Sequence, residues 1–271
     1  MRWRHAARYW QTLGARNPFG VILTGADYAP RDWDAAAFFK TGESDVAHVI
    51  AVLAEIAPEL PRRTALDFGC GVGRITRGLA VPFARVTGVD VAPSMIAAAR
   101  QLNAAFPNCE FRVNRAGHLR AFDDGAFDFV YSRLVLQHIP PRAATRYIAE
   151  LVRVLAPNGV LMFQLPEPLE HDPDAAYRTE ARAFVDAPVA DTPLKRMMPR
   201  RVVRAYRYLR FRRIVPRQTR VQRMYMFGLP REAVLDVLHR ANASVLRVDE
   251  DFSHGDRGKG YVYWVTKRGV T

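Results

Sequence analysis

Cysteine is nearly absent: the 271 residues hold two, Cys70 and Cys109. They form no C-x-x-C pair and have no histidine at metal-ligand spacing. Neither a disulfide framework nor a zinc site is expected, and both read as reduced thiols. Long apolar runs are missing too. Nothing approaches the roughly 20 residues that a bilayer-crossing helix needs. Met1-Arg2-Trp3-Arg4-His5 lacks the apolar centre of a signal peptide, which gives a cytoplasmic expectation. Lysine is scarce, supplying four of the 40 basic residues, and acidic residues are absent from one long stretch. From Thr192 to Arg231 there are thirteen Lys or Arg and no Asp or Glu, so this stretch holds the entire +13 net charge. The other 27 basic residues balance the 27 acidic ones. No internal repeat is evident.

What is present is enough apolar material, 49% of the chain, for one substantial α/β core with a small appended lobe. Apolar periodicity predicts a helix over 43–57, stopped by Pro58 and Pro61. Strands follow near 64–67, 85–90, 110–114 and 127–132, with helices between them, one opened by Pro93 and running to about Leu102. Pro141 opens a further helix with Ala144, Ile148, Leu151 and Leu155 on its apolar face. Pro157-Asn158-Gly159 stops it before a fifth strand over 160–165. A last helix is expected over 230–242, with strands at about 244–250 and 261–266. Between the first strand and its helix lies Asp67-Phe68-Gly69-Cys70-Gly71-Val72-Gly73-Arg74. Alternating glycines let the backbone turn sharply and let a ligand lie against main-chain atoms. The spacing is G-x-G-x-G, not the G-x-G-x-x-G of nicotinamide-dinucleotide folds, and an aspartate precedes it. That favours S-adenosylmethionine. The second strand ends at Asp90-Val91, where a carboxylate is placed to accept from a ribose diol.

Four segments in order, LDFGCGVGR, GVDVAPSMI, FDFVYSRLVLQHIP and LVRVLAPNGVLMF, resemble the class I S-adenosylmethionine-dependent methyltransferases. The resemblance covers 65–165. It implies a Rossmann-like, seven-stranded, mostly parallel sheet with helices on both faces, an antiparallel last strand and a basic insertion. The implied division is 1–42 as an aromatic lid segment, 43–165 as the cofactor-binding core, 166–229 as the insertion, and 230–271 as the helix and strand pair completing the sheet. The backbone of Gly69, Cys70 and Gly71 is expected to face the methionine portion, with Asp67 accepting from its amino group and Asp90-Val91 at the ribose. The family often carries an Asp after the third strand for the adenine amine. Here the chain reads Val113-Asn114-Arg115-Ala116-Gly117-His118, so a backbone contact at Ala116-Gly117, helped by Asn114, is expected instead.

Methyl transfer asks the protein to align the acceptor, exclude water and, for a hydroxyl, take a proton. Ser132 to His138 follows the fourth strand, with Ser132 assigned to the cofactor and His138 to the base. A neutral imidazole accepts a proton near pH 7. A histidine that only hydrogen-bonds a neighbouring loop is the competing reading. Glu167, Glu170, His171 and His254 are weaker candidates. His171-Asp172-Pro173-Asp174 reads as turn chemistry, so no metal is expected.

Trp3, Trp10, Phe19, Tyr28, Trp33, Phe38 and Phe39 make the first 42 residues aromatic, and relatives fold such a segment over the cofactor. Gly42 is a candidate for close approach to the methionine carboxylate, with Lys40 or Arg74 pairing with it. Capping by Thr41 or Ser44 is the alternative. In the insertion, Arg200, Arg204 and Arg207 fall on one side of an amphipathic basic helix. They suit phosphates, a membrane surface or an acidic partner, or else form a solvated face. Tyr131-Ser132-Arg133-Leu134 stands where DNA amino-methyltransferases carry an Asn- or Asp-Pro-Pro-aromatic motif. The reading is therefore a small-molecule methyltransferase with oxygen as acceptor atom and an anionic acceptor in view. An RNA methyltransferase and a catalytically silent cofactor-binding protein are the alternatives.

Overall fold

The structure is a computed structural model that describes residues 34–168, 226–252 and 258–267, together with Trp10 to Thr12, Gly14, Ala15, Pro18, Phe19 and Ile22. Most of the basic stretch, including Arg200, Arg204 and Arg207, lies outside the described residues, as do Glu170, His171 and His254. The chain divides into two compact units, 1–168 with 227–271 and a second of 169–226.

Seven strands form one sheet in the order β3-β2-β1-β4-β5-β7-β6. They are β1 (Thr64–Phe68), β2 (Arg85–Asp90), β3 (Cys109–Val113), β4 (Phe127–Ser132), β5 (Leu155–Pro166), β6 (Ala243–Asp251) and β7 (Gly260–Lys267). The first five pair in parallel, and β7 runs antiparallel to both β5 and β6. This is the expected fold class. The helices are α1 (Ala35–Ile56), α2 (Arg74–Leu79), α3 (Pro93–Leu102), α4 (Pro141–Val154) and α5 (Arg231–Arg240).

Alternation along the strands builds two apolar layers. Ala65, Phe129, Tyr131, Val160 and Met162 pack with Val46, Val49 and Leu53 of α1. Leu66, Val130, Leu161 and Phe163 face the opposite way and pack with Ile148 and Leu151 of α4 and Val234 and Leu238 of α5. Two boundaries differ from expectation. Helix α1 starts at Ala35, not at 43, because the Asp34 side chain accepts from Ala37 N–H at 3.1 Å and caps it. Thr41 and Ser44 therefore lie inside the helix and cap nothing. Leu155 belongs to β5, opposite Phe127, and not to the α4 face. The register shifts after Phe127, so the Pro157-Asn158-Gly159 turn, with Asn158 at φ 61°, is absorbed into the strand as an irregularity.

Candidate functional site

The chain moves outward from β1 to β2 and β3, then returns to place β4 on the other side of β1. The strand order reverses between β1 and β4, and open α/β sheets take their ligands in the crevice beyond the carboxyl ends of the strands at such a point. Asp67 lies at that point, in register with Gly88 of β2 and Tyr131 of β4. Gly69, Gly71 and Gly73 all have left-handed φ, at 82°, 55° and 85°, a backbone that L side chains adopt at a cost. Gly69 and Cys70 N–H both donate to Val89 O, and Gly71 N–H donates to Asp90 Oδ2 at 3.0 Å. The Asp90 Oδ1 accepts from Ala92 N–H at 2.8 Å. Asp90 thus ties the glycine loop, Val91 and the turn into α3 together, accepting from the backbone of all three. Burial raises its carboxyl above the usual range.

Asp67 is nearly inaccessible and accepts from Thr76 Oγ1 at 2.6 Å. Desolvation pushes it up to about 6, against the opposing pull of Thr76 and the Arg74 charge. Cys70 turns its side chain into the cluster of Ile96, Ala99 and Phe111, and burial raises the thiol further from reactivity. Both cysteines are free thiols, as expected.

Gly42 does different work from that anticipated. A Cβ there would lie 2.3 Å from Arg74 O, so this glycine lets α1 cross the start of α2 in contact. Arg74 is buried and donates to Asp45 Oδ2 at 2.7 Å and Thr41 Oγ1 at 3.1 Å, while Lys40 is exposed. Arg133, just past β4, lies between Asp45 and Asp251 at 3.9 and 3.8 Å. These partners belong to α1 and β6, and neither was apparent from the motifs.

The opposite wall comes from the segment after β4. Ser132 is fully buried and its Oγ has no hydrogen-bond partner among the described residues. Leu134 holds φ 59° and donates its N–H to Oε1 of Gln164, a buried side chain of β5. Val135 then covers Gly69, where a Cβ would come within 2.3 Å of it. His138 closes the short 3-10 turn Leu136–His138 and is buried. Its Nε2 lies 3.2 Å from Gln137 Nε2, and Trp10 meets its ring edge-on at 4.8 Å. With the Gln137 amide donating, the His138 Nε2 lone pair is engaged and the ring proton resides on Nδ1. The N-terminal residues also reach the crevice elsewhere. Ile22 covers Gly71, and Gln11 Oε1 accepts from Ser94 N–H at 3.2 Å.

The β3–β4 loop supplies the remaining wall. Asn114 N–H donates to Asp90 O, and Asn114 Oδ1 accepts from Ala116 N–H at 3.2 Å. Ala116 O accepts from Tyr147 Oη of α4. Both polar groups of Ala116 are therefore engaged within the protein, which moves the expected ligand-facing backbone from Ala116 to Gly117. No group of three or more metal-ligating side chains occurs among the described residues.

Comparison with known proteins agrees with this geometry. Residues 66–163 match the family described as "Methyltransferase domain". The chain is 33% identical over 132 residues to 2-methyl-6-phytyl-1,4-hydroquinone methyltransferase of Synechocystis sp., covering 48% of this chain and 41% of that protein. It is 31% identical over 161 residues to trans-aconitate 2-methyltransferase of Methylobacterium nodulans, covering 59% and 58%. The chain thus spans about half the length of these curated relatives. Magnesium protoporphyrin IX methyltransferase of Synechocystis, solved with bound SAH, superposes with a TM-score of 0.58 at 17% identity, covering 97% of this chain and 99% of that one. A SAM-dependent methyltransferase of Leishmania major gives a TM-score of 0.62 at 14% identity, covering 97% and 82%. Residues 66–163 thus match a methyltransferase domain, and the sheet shares its fold with these solved methyltransferases.

Proposed function

We propose that this protein binds S-adenosylmethionine across the glycine loop and transfers its methyl group to a small-molecule acceptor, with oxygen as the receiving atom. The observation that carries this reading is Asp90, whose carboxylate at the end of β2 joins the glycine loop to the start of α3, one strand from the strand-order reversal between β1 and β4. The residues fit the cofactor. Asp67 and Asp90 are buried or half-buried acceptors for an amine and a diol, Ser132 Oγ is a buried polar atom in want of a partner, and Gly117 borders open space. When bound, the cofactor supplies an activated methyl on a sulfonium.

The chain's own part is alignment and proton handling. Asp67 holds the amino group, Asp90 the ribose hydroxyls, and the Leu134–His138 segment faces the reacting side. His138 takes the proton from an acceptor hydroxyl on Nε2 once the acceptor displaces the Gln137 amide from that lone pair, while Trp10 fixes its ring. Catalysis by position and by one general base suits a reaction whose leaving group is already activated.

The two curated relatives named above carry small-molecule names, aconitate and a hydroquinone, which supports a small acceptor over RNA. The +13 net charge supports an anionic acceptor or an anionic surface as partner, with the basic segment 192–231 as its contact. No helix among the described residues is long and apolar enough to cross a membrane, so any membrane contact would be peripheral for this part of the chain. The test is a labelled-methyl assay against fractionated small metabolites, RNA and anionic vesicle extracts. Label in an ester or ether of a small acid or phenol is expected. Label in RNA would overturn the acceptor assignment, and tight cofactor binding without transfer would overturn the enzymatic one.

A further inference from the structure

We infer that Tyr147 is a positioning residue for cofactor recognition, because its hydroxyl fixes the loop that meets the adenine end of the site. The inference rests on the cofactor reading above. The stretch just after β3, Asn114 to His118, carries no carboxylate for the adenine amine, so its backbone is what meets that end of the ligand. A side chain on a mobile loop can still swing to its ligand, whereas a backbone N–H is no better placed than the loop itself.

The contacts show how this loop is placed. Asn114 turns the chain by accepting from Ala116 N–H, and its Nδ2 donates to His118 O at 3.3 Å. Those bonds set the shape of the turn but tie it to nothing outside itself. Asn114 N–H holds the start of the loop on Asp90 O of β2, and beyond it the ties come from α4. Tyr147 donates to Ala116 O, and three residues on, Glu150 Oε2 accepts from Leu119 N–H at 2.7 Å. Arg153 completes the row by donating to Leu119 O at 2.9 Å. Residues at i, i+3 and i+6 share one helix face, so α4 presents a polar stripe to the loop. Within the stripe only Tyr147 reaches the part next to Gly117. That glycine makes no hydrogen bond among the described residues, and a Cβ on it would meet nothing within 4 Å.

Tyr147 also touches the other side of the site. It is 1% exposed, and its ring packs on Phe68, 4.8 Å between centroids, the residue that leads into Gly69. One side chain thus spans from the end of β1 to the adenine loop. Burial raises the phenol well above its ordinary range, so it stays a donor at every working pH.

The experiment is Tyr147→Phe in the full chain, which keeps the ring on Phe68 and removes only the hydroxyl. Calorimetric titration uses S-adenosylhomocysteine and 5′-methylthioadenosine, the latter carrying the adenosine end without the amino acid. The expected result is a loss of about 3- to 10-fold in affinity, the worth of one net hydrogen bond, equal for the two ligands. The melting temperature should fall by only a few degrees. A merely structural tyrosine would lower the melting temperature and leave the affinity of the folded protein unchanged, and that result would overturn the inference. Loss confined to S-adenosylhomocysteine would also overturn it, since the effect would then lie at the amino-acid end. Wild-type protein that binds neither ligand would remove the cofactor reading itself, and the inference with it.

Discussion

The two walls of the crevice are built from different materials. The cofactor wall is made of backbone in unusual conformations and of two carboxylates at strand ends, with Gly69, Gly71, Asp67 and Asp90 all within one βαβ unit. The acceptor wall is made of side chains gathered from distant parts of the chain. Trp10 meets His138, Gln164 holds Leu134, and Asp45 and Asp251 flank Arg133. A wall of the first kind constrains residue type at fixed spacing, because only glycine adopts those φ values cheaply and only a carboxylate accepts from a diol in that way. A wall of the second kind constrains shape, which many residue types satisfy. Under the proposed function the first holds a cofactor that is invariant across the chemistry, and the second an acceptor that is not.

The sharpest way to separate the walls is His138→Ala. It should lower turnover on an oxygen acceptor by about 100-fold or more and leave S-adenosylhomocysteine affinity nearly unchanged. Preserved turnover per folded molecule, with a lower melting temperature, would make His138 a structural residue. Asp90→Ala probes the other wall and should weaken S-adenosylhomocysteine by roughly 30-fold, about 2 kcal/mol. It also strips acceptors from Gly71 and Ala92 N–H, so some loss of melting temperature will accompany it. Unchanged affinity by titration would remove Asp90 from the ribose.

The same division explains what the sequence disclosed. The strands' positions along the chain, the glycine loop and both carboxylates are legible, because period-two alternation and fixed spacing are local signals, whereas the parallel sheet class came with the family resemblance. The early start of α1 was readable in principle from Asp34, a good capping residue, yet the aromatic run after it drew attention to a lid. Thr76 under Asp67, Tyr147 under Ala116 and Gln164 under Leu134 gave no such signal. Each is an ordinary residue for its helix or strand, and its partner lies 9, 31 or 30 positions away, brought near only by the packed sheet. Gly42 carries a visible signal, and the structure adds a use that the sequence does not show, the close packing of α1 on Arg74 O.

A smaller effect follows from the burial of Asp67. Its carboxyl titrates near 6 in the folded protein against 3.8 for the ordinary group. The folded state therefore holds the proton more tightly than the unfolded one, and stability falls as pH rises from about 4 to about 6, by about 3 kcal/mol at most. Cofactor binding should run the other way. The ligand's ammonium group favours ionised Asp67, so affinity for S-adenosylhomocysteine should rise through pH 6, by about 10-fold between pH 5 and 7. Asp67→Asn should flatten both profiles, gaining stability at pH 7 and losing affinity there. A pH-independent affinity in the wild-type protein would take Asp67 out of contact with the amino group.

The smallest expected effect on the cofactor wall comes from reversing the charge of Arg200, Arg204 and Arg207. These residues lie in a stretch of thirteen basic residues with no acidic neighbour, more than 120 positions from the glycine loop in sequence. If the stretch takes no part in holding the cofactor, affinity for S-adenosylhomocysteine should change by less than about 2-fold, since solvated charges are screened at physiological salt. Binding to an anionic partner should fall, and its salt dependence should flatten, since fewer ion pairs release fewer counterions. Flotation with anionic but not neutral vesicles would assign the stretch to a membrane surface, and loss of turnover on a small acid would assign it to the acceptor. Cofactor affinity that falls in parallel with partner binding would break the comparison itself, because the basic stretch would then belong to the same wall as Asp90.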